Sequence, residues 1–472
     1  MGNCGYRYWR ILILKILVKK MFIKKIILSL ILFSSIITKI NCQDGTLDTT
    51  FGPNQNGTVI TPPADFSGAT FEAFINSIAL QSNGKIIAGG ATNANSLSFA
   101  LARYNTNGFL DNSFGTAGTT TLSIGTASLI NSLAIQSDDK IVAGGRATIT
   151  GISQFALARF TSNGFPDSSF GTGGVVTLPI SGASFSAINS IAIQSDGKIV
   201  AGGRAIIGGV QQFALARFTS NGSLDGSFGT GGVVTLLIGT FSNILSIAIQ
   251  PDGKIVAGGF ATIAGVQQFV VSRFNSDGSL DTSFGTGGSV TVPISSSSFI
   301  DSIAIQPNGK IVAGGISIES GIHTFAFARF NTNGSLDNSF GTNGITIIPA
   351  SLGSQISSGV SIALQSDGKI VAVGSGNPNG ILTFVFTRLQ TNGTIDTTFG
   401  SNGIVDVLPL TLFGANPLDA FSSQVLIQQN GKILAGGFFD DPSLEYFALV
   451  RLNVTLGCLT NLTQAIIEKY GI

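Results

Sequence analysis

Charge is scarce in this chain of 472 residues: 25 Lys and Arg against 24 Asp and Glu leave a formal net charge of +1. That balance excludes the basic footprint of a nucleic-acid binder and the acidic run of an interaction tail. Histidine is rarer still. His323 stands alone, and one imidazole without a recurring carboxylate or nucleophile makes no catalytic triad, so it reads as a surface or edge residue. Tryptophan occurs once, before residue 42, and methionine twice. No long stretch carries the 3.6-residue rhythm of a helix. What the chain has instead is 62 Gly and 35 Phe within a 43% hydrophobic composition, which describes strands buried on both faces and joined by tight turns.

The first 42 residues differ from the rest. Arg7, Arg10, Lys15, Lys19, Lys20, Lys24 and Lys25 precede an apolar run from Ile26 to Ile37. The run has the length of a signal-peptide core and falls short of the ~20 residues of a membrane span. A segment of signal form begins at Met21, so the residues before it are expected to be either an upstream extension or the product of a misassigned start. The expected organisation is a signal sequence with that extension over 1–42, a repeat domain over 43–455 and a short tail over 456–472. Export, to the cell envelope or beyond it, follows.

Three phrases each recur seven times. Gly-Lys-Ile-Val-Ala-Gly-Gly, or a close variant, surrounds Lys85, Lys140, Lys198, Lys254, Lys310, Lys369 and Lys432. Phe-Ala-Leu-Ala-Arg-Phe carries Arg103, Arg159, Arg217, Arg273, Arg329, Arg388 and Arg451, and Leu-Asp-x-Ser-Phe-Gly carries Asp48, Asp111, Asp167, Asp225, Asp281, Asp337 and Asp396. Within one unit, the stretch ending at Ile180, Ser190 to Gln194, Lys198 to Gly203 and Phe213 to Phe218 read as four short strands rich in Val, Ile, Ala and Phe. Four antiparallel strands repeated at this period are a propeller blade, so the expected fold is all-β: a seven-bladed β-propeller of four-stranded antiparallel blades. Blades pack on both sides, which lets Ile191 and Ile193 serve one interface while Ala192 allows close approach at the other.

Turn chemistry and spacing refine this picture. The second and third strands are joined by Asn-Gly or Asp-Gly pairs such as Asn83-Gly84 and Asp196-Gly197, which tolerate positive φ; at Asp138-Asp139 the second Asp must stand in for Gly. From the repeated Lys to the Arg is 18 or 19 residues, but from the Phe of Leu-Asp-x-Ser-Phe-Gly to the next Lys is anywhere from 26 to 34. Insertions therefore collect between the first and second strands, on one rim, where loops carry function. The longest are Pro53 to Ser77 and Val405 to Ser423. The first Leu-Asp phrase, Leu47 to Gly52, precedes any complete blade and none follows Arg451. A spare linker fits a closed ring in which it docks between the last blade and the first, sealing an open edge.

Taken together, Leu-Asp-x-Ser-Phe-Gly, Ile-Ala-Ile-Gln-x-Asp-Gly-Lys-Ile-Val-Ala-Gly-Gly and Phe-Ala-Leu-Ala-Arg-Phe-Asn-x-Asn-Gly resemble the delta-60 repeat family over residues 43 to about 455. The resemblance implies a propeller-like, mostly bacterial, exported repeat protein. It implies no catalytic residues, because that family has no agreed activity.

Asn275, Asp277 and Asp281 follow the rhythm of a calcium loop and are the candidate metal ligands, with calcium the one cofactor considered. Other copies place Asn at the early positions, as at Asn105, Asn107, Asn331 and Asn333. That favours an Asx-turn, with the later Asp capping local amides or pairing with the repeated Arg. The repeated Lys and Arg then read as a solvated turn residue and a surface partner of that Asp, each pair contributing little. Cys42 and Cys458 are a candidate disulfide across termini that ring closure brings together. Past residue 42 there is no Trp and only Tyr104, Tyr446 and Tyr470, so aromatic platforms for a glycan are lacking.

The function expected is that of a non-enzymatic binding or structural scaffold, at the cell surface or outside the cell, whose rim loops meet a protein or surface partner. Nucleic acid, membrane insertion of the mature domain and oligomerisation are not expected. The alternative is a propeller hydrolase or lyase with acids converging on the channel, drawn from Asp65, Glu72, Glu319, Asp406 and Asp419.

Overall fold

The computed structural model describes residues 44–62, 72–93, 96–350, 355–377, 381–407, 419–441 and 444–454. The leader, the tail beyond 454, Cys42, Cys458 and Asp65 lie outside these residues. The described residues form twenty-eight strands in seven four-stranded antiparallel sheets, the propeller that the repeats imply. In the third blade the strands run from the axis outward as Ala183–Ile193, Ile199–Ile207, Val210–Phe218 and Val233–Leu236. The two middle strands are almost continuously buried, because a neighbouring blade covers each face. Ile191 and Ile193 pack toward the second blade and Ala192 toward the fourth, as their alternation predicts.

The phase of the repeat differs from the expected one. The strand near Ile180 is not the first strand of its own blade: Val175–Leu178 pairs with Phe155–Ala158 and forms the outer edge of the blade before. After the Leu-Asp-x-Ser-Phe-Gly turn the chain folds straight back beside the strand it has just left, which is the shortest antiparallel route. The middle strands are also longer than the apolar phrases, extending to a tight turn at Gly208-Gly209. Asp139 does replace Gly in its hairpin, at φ 62° against 83° for Gly197.

The paired glycines of the second strand have separate steric roles. A Cβ on Gly202 would lie 2.6 Å from Ile247 of the next blade, and one on Gly203 would lie 2.0 Å from the carbonyl oxygen of Ala187 on the inner strand. The first glycine sets the approach of blade to blade; the second makes room for a β-bulge in the inner strand between Ile188 and Ser190, where pairing is locally interrupted.

Closure uses more chain than expected. Leu47 bridges Leu452, and the Asp48 N–H donates to Arg451 O at 2.9 Å, so Leu47 to Gly52 does seal the last blade. The following segment, Thr58–Thr61, then becomes that blade's outer strand, with Thr58 opposite Val450 and Thr61 opposite Phe447. Pro53 to Ser77 is therefore not a single loop: it contains this strand and the start of Glu72–Leu80. Val405 to Ser423 likewise contains the end of Ile404–Val407 and the start of Asp419–Ile427. A short β-branched segment beside an open edge gains a ladder of hydrogen bonds, which spacing alone does not reveal. The true connections are 62–71 and 408–418, largely outside the described residues.

Strand direction sorts the turns onto two faces. The Asp-Gly hairpins and the Leu-Asp-x-Ser-Phe-Gly turns share the lower face. The hairpins between second and third strands and the blade-to-blade connections of variable length share the upper one.

Candidate functional site: the axial mouth and the variable face

The lower face is a ring of seven repeated clamps. In the fourth blade Arg273 Nε donates to Asp281 Oδ2 at 2.7 Å and Lys254 Nζ reaches the same oxygen at 2.8 Å. Asp281 Oδ1 accepts from the N–H and hydroxyl of Ser283. The guanidinium lies 4.5 Å from the centroid of the Phe284 ring, and its Nη1 donates to Thr332 O in the next blade. Arg103, Arg159, Arg217 and Arg329 reach forward in the same way to Ser162, Ser220, Ser276 and Thr391, and Arg451 crosses the seam to Thr106. Arg388 instead meets Asp44 at 2.7 Å.

These pairs are not the weak surface pairs expected. Arg388 is 1% exposed and Asp396 1%, because the turn folds its Phe and Asp over the guanidinium. Burial pushes the Asp48 carboxyl up, but the Lys432 and Thr50 hydrogen bonds and the Arg451 charge outweigh it and bring it down to about 2. Asp281 is held well below the usual carboxylate range against the same opposition from burial.

The calcium candidates take part in this scaffold individually. Both Asp281 oxygens accept from protein donors, Asp277 Oδ1 accepts from the N–H and hydroxyl of Ser279, and Asn275 Nδ2 donates to Ser279 Oγ. Among the described residues no group of three or more His, Cys, Asp or Glu is placed to hold a metal ion.

Around the axis runs a second ring that the sequence reading missed. Ser77, Ser132, Ser190, Ser246, Ser302 and Ser361 each accept, at Oγ, the backbone N–H of the next inner strand, at Leu133, Ile191, Ile247, Ile303, Ile362 and Val425. Gln424 Oε1 closes the circle by accepting from Ile78 N–H at 2.7 Å. One residue earlier, Asn76, Asn131 and Asn189 donate to carbonyls of the following blade. The equivalent residue of the fifth blade is Asp301, which accepts from Val360 N–H at 3.0 Å. Protein surrounds Asp301 while part of its side chain still touches solvent, the situation of a group lining a narrow channel. Desolvation raises its carboxyl to about 7, against the opposing Val360 hydrogen bond. The signal was present as the single Asp in a repeated Asn-Ser-Ile position.

Of the acids singled out from the sequence, the described side chains of Glu319, Asp406 and Asp419 lie apart. Glu319 Oε2 accepts from Ser296 N–H on the upper hairpin, Asp419 Oδ1 accepts from Leu382 N–H at 2.8 Å, and Asp406 lies on the outer strand of the sixth blade. Glu72 begins the inner strand of the first blade. His323 sits opposite Ile318 near the upper end of the fifth blade, within the strand Ile322–Phe330. Two peripheral clefts of about 620 and 690 Å³, at Leu178–Ser181 and at Pro293–Ser295, are lined by aliphatic, glycine and hydroxyl residues without a titratable group.

The upper, inner part of the disc is chemically different. The residue after the paired glycines is Arg146 in the second blade, Arg204 in the third, Phe260 in the fourth and Phe438 in the seventh. Arg146 and Arg204 flank the ring of Phe185 at 5.7 and 5.2 Å. Phe260 stacks on Phe241 and meets Phe299 edge-on, while Phe438 stacks on Phe421 at 4.8 Å and contacts Phe74. These side chains retain partial exposure and surround the mouth of the axial channel on the face that carries the variable connections.

A family model agrees with the architecture. The model of a β-propeller domain of unknown function, DUF5122, matches residues 81–114, 136–170, 194–228, 250–284, 306–340 and 365–399. No curated protein matches the sequence. The chain is similar to the PQQ-bound aldose sugar dehydrogenase of Streptomyces coelicolor (14% identity, TM-score 0.38, covering 68% of this chain and 93% of that one). It is also similar to Trypanosoma rangeli sialidase in complex with the inhibitor DANA (11%, TM-score 0.38, 85% and 57%), so it spans little more than half of that protein. Drosophila Plexin A in complex with Semaphorin 1b is similar at 10% identity and TM-score 0.40, covering 87% and 88%. The seventh copy of the matched unit is divided by the seam, with Lys432 and Arg451 on one side and Asp48 and Phe51 on the other. The chain is a seven-bladed propeller of tandem repeats, six of which match the DUF5122 β-propeller model.

Proposed function

We propose that the protein is an exported, monomeric and non-enzymatic binding scaffold, acting at the cell surface or outside the cell, whose upper face meets a protein or surface partner. The observation that carries this reading is the division of labour between faces. Every clamp on the lower face ties its charged groups to protein partners, whereas variable length and partly exposed aromatic and cationic side chains gather on the upper one. Rigid scaffold below and variation above is the arrangement of a presentation surface. Short outer strands of three or four residues limit edge pairing with other chains, in keeping with a monomer. The hydrolase or lyase reading needs converging acids; the dispersed Glu319, Asp406 and Asp419 favour the scaffold over it.

The test replaces 62–71 and 408–418 with the four-residue connection Pro179–Gly182 and measures retention of the labelled protein on the cells that produce it. Retention is expected to fall at unchanged melting temperature. Undiminished retention, or reproducible turnover in a hydrolase and lyase panel that depends on Asp301, would overturn the scaffold reading.

A further inference from the structure

Nine arginines fall within the described residues, and seven of them occupy the clamps. Arg146 and Arg204 are different. Neither has an ion-pair partner among the described residues, and Arg204 Nε is buried without an acceptor. Burial, followed by the charge of Arg146, lowers the basicity of Arg204, so the two cations feel each other across Phe185. Two like charges held on one ring, one with an unsatisfied buried donor, are an arrangement that a protein tolerates when something else supplies the acceptor. Stacking on Phe185 orients the guanidinium planes but accepts none of their in-plane N–H groups.

The repeat isolates the feature. At the same position the other blades carry Ala91, Phe260, Ile316, Ser375 and Phe438, so no structural requirement of the blade calls for a cation there. Arg146 and Arg204 lie in adjacent blades, and the next blade presents Phe260 stacked on the 36%-exposed Phe241. The surface therefore offers fork-shaped donors for one anionic group beside an aromatic ledge.

We propose that Arg146, Phe185 and Arg204 form a recognition site for a carboxylate side chain within an otherwise apolar peptide segment of a partner protein. This deepens the scaffold reading and rests on it for the identity of the partner as a protein. An acidic sugar is disfavoured, because the aromatic neighbours are all Phe, which carry no hydroxyl or N–H to pair with a sugar's hydroxyls. A bidentate Arg–carboxylate pair supplies the directional contact, and the Phe ledge takes the apolar flank.

The experiment uses the full chain and a fluorescein-labelled peptide of alternating Leu and Glu, with two controls: the same peptide with Gln for Glu, and an oligogalacturonate. Saturable binding of the Glu peptide is expected, weakened about tenfold by Arg204→Met or Arg146→Met and abolished by the double variant. Arg204→Lys is expected to retain part of the affinity, since it keeps charge but loses the fork. Melting temperatures of the variants should equal or exceed that of the parent, which separates lost recognition from lost folding. Equal binding of the Gln peptide, or undiminished binding by the double variant, would overturn the site. Binding of the oligogalacturonate alone would overturn the peptide assignment. If the peptide fails while loop replacement still abolishes cell retention, the site falls and the scaffold stands. If the peptide binds and retention ignores the loops, the scaffold's loop-based reading falls and the site stands.

Discussion

The two faces of the disc are built from the same strands yet follow opposite rules. Below, seven copies of one Arg-Asp-Lys-Phe clamp use the Arg, Lys and Asp that recur in every repeat, and the blade-to-blade bond at Arg273 is the one at Arg103 and Arg329 again. Above, the position after the paired glycines changes from Ala to Arg to Phe with no change in the backbone pairing beneath it. Residues whose partners lie in the next repeat cannot change alone; residues facing the mouth can. Uniformity below is thus a consequence of closure, and diversity above is what closure leaves unconstrained.

The largest expected difference follows from breaking equivalent charges on the two faces. Arg273→Ala leaves the buried Asp281 with Lys254 as its one cation and frees Thr332 O, which is expected to cost about 3 kcal/mol. Arg204→Ala, removing an arginine that has the Phe185 ring but no ion-pair partner among the described residues, is expected to change stability by less than about 0.5 kcal/mol or to raise it. Denaturant midpoints of the two variants measure the contrast; comparable losses would mean that the upper arginines are also part of the scaffold.

Glycines allow the same comparison without charge. Gly203→Ala forces a Cβ to 2.0 Å from Ala187 O, a backbone atom fixed by the inner-strand bulge, and is expected to cost about 2–3 kcal/mol. Gly208→Ala, in an upper hairpin with nothing within 4 Å of the new Cβ, meets only its φ of 60°. Its cost is expected near 1 kcal/mol. Thermal unfolding of both variants ranks them, and a larger loss at Gly208 would contradict the assignment of steric pressure to the axis.

These contrasts explain what the sequence makes legible. Blade number, hairpin turns, the docking of Leu47 to Gly52 and the Arg–Asp pairing at a spacing of eight all repeat, and repetition separates signal from accident. Strand phase does not follow from repetition, because a tandem array has the same period wherever its unit is cut; only the pairing of Val175–Leu178 with the strand before it decides. Asp301 and the pair Arg146 and Arg204 escape for a related reason. Each is a single substitution inside a conforming phrase, and its meaning depends on the axis and the neighbouring blade. The ring was visible as a Ser in six of the seven copies, with Gln424 in the last, but a hydroxyl in a strand has no evident partner until the next blade is beside it.

Acids of the two environments should respond to pH with opposite signs. The clamp carboxyls titrate lower in the folded chain than the ~3.9 of an unfolded Asp. Their contribution is complete above about pH 4 and is lost as pH falls toward 2, where Asp48 and Asp396 take up protons. Asp301, raised to about 7, holds a proton that the unfolded chain has released, so it lowers stability progressively as pH rises from about 4 to 7. Asp301→Asn, which copies Asn76, Asn131 and Asn189, is expected to stabilise by on the order of 2 kcal/mol at pH 8 and to make no difference at pH 4. Melting curves across that range check it, and a benefit independent of pH would place the effect in packing rather than ionisation.

The smallest effect is expected where one residue serves both rules. Asp139 occupies the positive-φ position that the other lower hairpins give to Gly, and its carboxylate accepts from the N–H and hydroxyl of Ser82 in the preceding blade. Asp139→Gly relieves backbone strain of about 1 kcal/mol and removes two exposed hydrogen bonds of similar combined worth. The net change is expected within about 0.5 kcal/mol, and Ser82→Ala separates the terms. In the parent it should destabilise; beside Asp139→Gly it should do nothing, because its partner has gone. A double-mutant cycle with no coupling would mean that Asp139 is merely tolerated in the turn, and the lower face would then contain at least one charge that closure does not require.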